Sequence, residues 1–299
     1  MVENFNDVFS LVKKRKKKKV AIAAANDEQV LDAIIDAMGE GIADAVLVGP
    51  KCDILNIAED MHIDISGIEV INEPDSFKAA KIATYLVREG KADMLMKGNI
   101  QTSQFLKAVL DKDEGLRPKT EKKLSHVSVF DVPALRRMLI LTDAAVNIAP
   151  DLSDKVQIIE NAVKVAKAIG IETPKVAVIS AAETVNPNMQ STIDAALLSK
   201  MGDRGQIKGC IIDGPLAFDN AISKNAIDHK NIKSPVEGEA DIIVVPNIET
   251  GNALYKALVY TANAEVGGVL VGASSPVILT SRADSTEAKL NSIALASLC

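Results

Sequence analysis

"KVAIAAANDEQVLDAIIDAMGEGIADAVLVGP", residues 19–50, carries the pattern on which the fold is read. "KVAIAAA" (19–25) is a short run of small and β-branched apolar residues. "EQVLDAIIDAMGE" (28–40) spaces its apolar residues as a helix does, and "DAVLVGP" (44–50) is a second apolar run closed by Gly-Pro. Neither run alternates apolar with polar residues. That is the mark of strands buried on both faces, as in a parallel sheet covered by helices.

The same rhythm continues along the chain. "GIEVIN" (67–72) and "ADMLMKG" (92–98) read as strands, with "SFKAAKIATYLVREG" (76–90) and "TSQFLKAVLD" (102–111) as helices. In the second half, "KVQIIENAVKVAKAIG" (155–170) places Val156, Ile159, Val163 and Ala166 on one helical face. The runs "PKVAVIS" (174–180), "KGCIIDGP" (208–215), "ADIIVVPN" (240–247) and "GGVLVGA" (267–273) follow as strands. The fold class is therefore α/β with mostly parallel sheets. Between the halves, "DKDEGLRPKTEKK" (111–123) is charged and loop-like. "LSHVSVFDVPALRRMLILTDAAVN" (124–147) then reads as two strands meeting at Asp131–Pro133, an antiparallel insertion or a domain crossing.

Composition narrows the function. The chain has 299 residues, enough for one large or two ordinary domains with a sizeable core. Its net charge of −6, with 3% aromatic residues and no Trp, argues against a nucleic-acid partner. The basic run "KKRKKKK" (13–19) is expected to be a solvated face between a first helix and the first strand. A part in attracting a polyanionic substrate is the alternative. No signal-peptide pattern and no membrane-spanning length is read, and the expected location is the cytoplasm. Cys52, Cys210 and Cys299 are scattered, as are His62, His126 and His229, so no metal site is expected.

In open α/β sheets ligands bind beyond the carboxyl ends of the strands. The polar groups that follow apolar runs are Lys97-Gly98-Asn99, Asp143, Asp213-Gly214-Pro215, Asn247 with Thr250-Gly251-Asn252, and Thr280-Ser281-Arg282. Each has a bland reading: Asn99 or Thr102 as a helix cap, Asp213 as turn chemistry, Thr250 to Asn252 as a helix opening. Together they suit a phosphate-bearing ligand, for which helix amino termini and a bidentate guanidinium are apt. Walker A, G-x-G-x-x-G and G-x-S-x-G patterns are absent, which weakens kinase and serine-hydrolase readings. In "DSTE" (284–287), Asp284 and Glu287 fit a capping box, leaving Ser281 and Arg282 just outside the last helix.

The stretches "MKGNIQTSQFLKAVL" (96–110), "LTDAAVNIAPD" (141–151), "DGPLAFDNA" (213–221), "NIETGNALYKAL" (247–258) and "SSPVILTSRADSTEAKLNSIALA" (274–296) resemble the phosphate acetyltransferase/phosphate butyryltransferase family. The short length and the forms "KGNIQTS" and "LSHVSVFDVP" resemble its butyryl-transferring branch. The resemblance implies reversible acyl transfer between coenzyme A and inorganic phosphate, with acyl phosphate as the other product. Coenzyme A would be a substrate, with no permanently bound cofactor. It also implies a two-domain α/β/α fold like that of isocitrate and isopropylmalate dehydrogenases, with the active site in the interdomain cleft. The first domain would be 1–133 plus 278–299, and 134–277 an inserted second domain. A homo-oligomer and coupling to an acyl-phosphate-using kinase such as butyrate kinase are further implications.

By the same resemblance Ser281 stabilises the transition state and Arg282 binds phosphate or acyl phosphate. Lys97, Asn99, Thr102, Asp213, Asn247, Thr250 and Asn252 are candidates for contact with phosphate or coenzyme A. The acetyl-transferring relatives carry an Asp on the last helix as a proposed base for the thiol. Ala288 stands there in this sequence, so that role cannot be carried over. The rival readings are a phosphate acetyltransferase, a decarboxylating dehydrogenase on the same fold, transfer from acyl carrier protein, and a non-catalytic acyl-CoA-binding module.

Overall fold

The computed structural model describes residues 2–117, 123–281 and 284–299. In chain order the elements are α1 (Phe5–Val12), β1 (Lys18–Ala23), α2 (Glu28–Gly39), β2 (Ala43–Gly49), α3 (Lys51–Asp60), β3 (Glu69–Asn72), α4 (Ser76–Arg88), β4 (Met94–Lys97) and α5 (Thr102–Val109). Then follow β5 (Ser125–Val132), β6 (Arg137–Thr142), α6 (Leu152–Ala168), β7 (Lys175–Ile179), α7 (Gln190–Asp203) and β8 (Ile211–Leu216). The chain closes with α8 (Phe218–Ile222), α9 (Lys224–Lys230), β9 (Ile242–Val244), α10 (Ile248–Thr261), β10 (Glu265–Val271), β11 (Val277–Ile278) and α11 (Thr286–Leu298).

These elements divide into two compact units, Phe5–Lys122 with Val266–Cys299, and Met1–Asn4 with Lys123–Glu265. A break at 133/134 would have cut an antiparallel hairpin. β5 pairs with β6 from Ser128 opposite Leu141 to Val132 opposite Arg137, so the pair stays in one unit. A break at 277/278 would have split β11 between Val277, which pairs with Leu270 of β10, and Ile278, which pairs with Met96 of β4.

In the unit of Phe5–Lys122 with Val266–Cys299, termed the discontinuous unit because its two long segments are separated by the other unit, the strands run β3-β2-β1-β4-β11-β10, parallel except for the β10–β11 pair. The run 20–25 is buried throughout, as are Leu47, Met94, Leu95, Met96 and Ile278. Helix α2 begins where Asp27 accepts the Val30 N–H at 3.0 Å, and α4 where Asp75 accepts the Lys78 N–H at 2.8 Å. Such caps satisfy amide groups that the first helical turn leaves open. Helix α11 is buried around almost its whole circumference from Ala288 to Leu298, and its polar members are spent internally. Ser292 Oγ donates to the Ala288 carbonyl at 2.6 Å and accepts the Gly268 N–H at 2.9 Å.

The other unit orders its strands β5-β6-β9-β7-β8, parallel apart from the β5–β6 hairpin. Helix α6 opens on a capping box between Asp151 and Asp154. Its buried face is wider than the expected stripe, because Lys155 and Asn161 are buried with Ile158, Ile159 and Val163 while Val156 is half-exposed. Lys155 Nζ meets Asp194 Oδ2 of α7 at 2.5 Å, and Gln190 Nε2 donates to the other oxygen of Asp194 at 2.8 Å.

Candidate active site

In the discontinuous unit, the register of β4 with β11 decides what lies together. Leu95 pairs with Val277 and Met96 with Ile278, in parallel. Lys97, which ends β4, therefore lies beside the segment that leads to Thr280 and Ser281. On its other side Lys97 is in register with Ala23 of β1. One carboxyl edge thus carries Lys97-Gly98-Asn99 and Thr280-Ser281. Gly98 fits because the chain turns against β1 there. A Cβ on Gly98 would stand 2.3 Å from the Ala24 carbonyl oxygen. The Gly98 and Asn99 N–H groups donate to the Ala23 and Ala24 carbonyls at 2.8 and 2.7 Å. Lys97 is buried, with Nζ donating to the Gly98 carbonyl at 3.3 Å.

Asn99 and Thr102 are both exposed, and neither caps α5. Gln101 holds that position without a side-chain hydrogen bond. Ser281 is exposed while Thr280 behind it is buried. Arg282 lies outside the described residues.

The turn between Ser281 and α11 corrects the expected capping box. The cap is Ser285, whose Oγ accepts the Ala288 N–H at 3.2 Å. Asp284 turns the other way: its Oδ2 accepts the Ser281 N–H at 2.7 Å, and its own N–H donates to the Ser281 carbonyl at 3.2 Å. Glu287 is exposed, and Ala288 is buried in the first helical turn. Sequence reasoning passed over Lys289, which is 2% exposed and whose Nζ donates to Gln29 Oε1 at 2.8 Å and to the Asp284 carbonyl at 2.5 Å. A lysine in the first turn of a helix, against the dipole, was the available signal.

The polar groups of the other unit are more fully absorbed by its own backbone. The Asp143 carboxylate accepts the N–H groups of Ala145, Val146 and Asn147 at 2.9, 3.0 and 3.2 Å, and Asn147 Nδ2 at 2.6 Å. Asn247 caps α10, its Oδ1 accepting the Thr250 N–H at 3.0 Å and the Thr250 hydroxyl at 2.7 Å. Gly251 packs that turn closely, since a Cβ there would stand 2.7 Å from the Asp143 carbonyl oxygen. Asn252 is exposed on α10. Asp213 is not at a strand end. It lies within β8, opposite Ala177 of β7, and its Oδ1 accepts the Ser199 hydroxyl of α7 at 3.2 Å. The strand continues through Gly214 and Pro215, so the Asp-Gly-Pro sequence is not the turn it suggested.

At the start of β5, Ser128 Oγ and His126 Nδ1 are 3.1 Å apart, a spacing that suits a nucleophile and its base. Ser128 is fully buried, however, and an acyl carbonyl cannot reach it. The basic run is also accounted for. Lys13, Lys17 and Lys19 pair with Glu40, Asp44 and Glu69 at 2.5, 2.6 and 3.3 Å. It leads into the amino end of β1, the opposite edge from Lys97 and Ser281. Among the described residues no cluster of three or more His, Cys, Asp or Glu could hold a metal ion. Among them also, no helix is long and apolar enough to cross a membrane.

A carboxyl edge of this make-up defines a class, the α/β proteins that hold ligands beyond the ends of parallel strands. The chain belongs to the phosphate acetyl/butaryl transferase family, whose pattern matches residues 4–81 and 74–297. It is 55% identical over 298 residues to the phosphate butyryltransferase of Clostridium acetobutylicum, covering 100% of this chain and 98% of that protein. It is 47% identical over 283 residues to the phosphate acetyltransferase of Thermotoga maritima, covering 95% of each. The crystal structure of a branched-chain phosphotransacylase from Enterococcus faecalis V583 matches with a TM-score of 0.82 at 36% identity, over 94% of this chain and 99% of that one.

Proposed function

We propose that this enzyme transfers a butanoyl group reversibly between coenzyme A and inorganic phosphate. The observation that carries the reading is the 55% identity over the whole chain with a phosphate butyryltransferase. The shared edge of Lys97-Gly98-Asn99 with Ser281 supports it. In the direction of butanoyl-CoA synthesis, the coenzyme A sulfur attacks the carbonyl carbon of butanoyl phosphate. The carbon–sulfur bond forms, the carbon–oxygen bond to phosphate breaks, and phosphate leaves with the electron pair. Ser281 donates its hydroxyl to the carbonyl oxygen as charge builds there, and Arg282 takes the phosphate through two parallel hydrogen bonds. Lys97, Asn99 and Thr102 contribute to phosphate binding on the same edge. In the other unit, Asn247, Thr250 and Asn252, in the opening turn of α10, are the candidates for contact with coenzyme A. Asp213, held by Ser199, is not part of this proposal.

No carboxylate stands at Ala288. A thiol with a pKa about two units above neutrality needs only modest help to ionise, so orientation and electrostatics supply most of the acceleration. The same reading places the enzyme in the cytoplasm as a homo-oligomer, with no permanently bound cofactor. An acyl-phosphate-using kinase such as butyrate kinase would consume the butanoyl phosphate formed in the opposite direction.

The test is free-thiol release from butanoyl-CoA on addition of phosphate. Release is expected in the wild type, and its absence with both butanoyl-CoA and acetyl-CoA would sink the reading. Ser281→Ala is expected to lower kcat by about 10²-fold, as loss of one oxyanion donor does. Arg282→Gln is expected to raise the KM for phosphate sharply; an unchanged KM would remove its role. Acetyl transfer is the second reading, favoured by the 47% identity with a phosphate acetyltransferase. The ratio of rates with the two thioesters decides between them.

A further inference from the structure

Lys289 sits where two effects oppose a cation. It is the fourth residue of α11, within the positive end of that helix dipole, and it is 2% exposed. A buried ammonium is costly unless it is paired. Its acceptors are nevertheless uncharged: the Gln29 carboxamide oxygen at 2.8 Å and the Asp284 backbone carbonyl at 2.5 Å. Burial is the main cause that holds its pKa below the ordinary lysine value, with the Asp27 and Asp284 charges opposing. A residue kept only to join α11 to α2 would be better apolar, because a buried charge contributes little to stability.

Its hydrogen bonds lead instead to Ser281. Gln29 belongs to α2, which Asp27 caps. Lys289 grips the carbonyl of Asp284, and the carboxylate of Asp284 holds the Ser281 N–H at 2.7 Å. The chain of contacts Gln29–Lys289–Asp284–Ser281 lies wholly within the discontinuous unit. We propose that Lys289 is a positioning residue for acyl transfer: it anchors the Asp284 carbonyl to α2 and so fixes the direction in which the Ser281 hydroxyl points. The inference rests on the reading of Ser281 as the donor to the acyl carbonyl.

The experiment is a double-mutant cycle with butanoyl-CoA and phosphate. It compares wild type, Ser281→Ala, Lys289→Met and the double variant by kcat, KM and melting temperature. Lys289→Met is expected to lower kcat by about 10- to 100-fold, the loss that misplacing a reacting group by roughly an ångström brings. The KM for butanoyl-CoA should change by less than about threefold, and in the S281A background the same substitution should cost less than about twofold. If Lys289→Met does not fold, Gln29→Leu runs the same cycle, since Gln29 is exposed and its replacement leaves the core intact. It is expected to lower kcat about three- to tenfold in the presence of Ser281 and to have no effect without it. A loss of equal size in both backgrounds, or a lower melting temperature with kcat unchanged, would overturn the role of Lys289 and leave Ser281 standing. Full kcat in the S281A enzyme would overturn the Ser281 reading, and this inference with it.

Discussion

Asp284 and Ser285 are adjacent residues of similar capping ability, and the difference between them places Ser281. The spacing of Asp284 and Glu287 satisfies the capping-box rule, but so local a rule cannot see that the Ser281 N–H competes for the carboxylate. Asp284 therefore serves the turn, and Ser285 serves the helix. The two residues should separate on mutation. Ser285→Ala removes a cap and is expected to cost about 1 kcal/mol in urea unfolding, with the transfer rate little altered. Asp284→Ala releases the Ser281 N–H and is expected to lower kcat more than it lowers stability. An equal loss of rate in both variants would show that the turn does not orient Ser281. The exposed position of Ser281 beyond the last strand was legible from the apolar run before it. Lys289 was not, since a buried lysine among "STEAKL" looks like an ordinary exposed helix position.

Among the elements, the strands were the most legible, because a sheet covered on both faces writes uninterrupted apolar runs into the sequence. Their ends were less so. The run before Asp213 looked finished at Asp-Gly-Pro, yet β8 continues to Leu216 because Ser199 on α7 accommodates the carboxylate. Helix α6 shows the same limit. Its apolar period was plain, but Lys155 is as buried as the isoleucines beside it, since Asp194 of α7 neutralises it. Only the partner, thirty-nine positions away, makes that burial possible. Removing one member of such a pair leaves the other charge buried and alone, which costs about 3–5 kcal/mol. Lys155→Met and Asp194→Leu should each destabilise by that order. The double replacement should recover most of the loss, because an apolar pair of similar volume fills the site without desolvated charge. Urea denaturation of the three variants checks this, and additive losses would count against it.

At the scale of the whole molecule, the chemistry turns on whether the acyl group ever rests on the protein. A covalent route needs an accessible nucleophile with a base beside it. Of the cysteines, Cys210 precedes β8 and Cys299 follows α11, so neither lies at a carboxyl edge, while Cys52 opens α3 beyond the end of β2, two strands away from β4. Burial raises the pKa of the Cys210 thiol as well, away from the thiolate that would attack. The Ser128–His126 pair has a suitable spacing but no exposure. Under the proposed function, transfer is direct within one complex of both substrates, with Ser281 and Arg282 as stabilisers rather than acyl carriers. Initial rates measured over a grid of butanoyl-CoA and phosphate concentrations should then give intersecting double-reciprocal lines. Labelled phosphate should not exchange into butanoyl phosphate when coenzyme A is left out, because nothing else can take up the acyl group. Ser128→Ala, which deletes one hydroxyl from the interior, should leave that pattern unchanged. Parallel lines, together with exchange in the absence of coenzyme A, would mean that an acyl-enzyme forms and that one of these buried or distant nucleophiles becomes accessible during turnover.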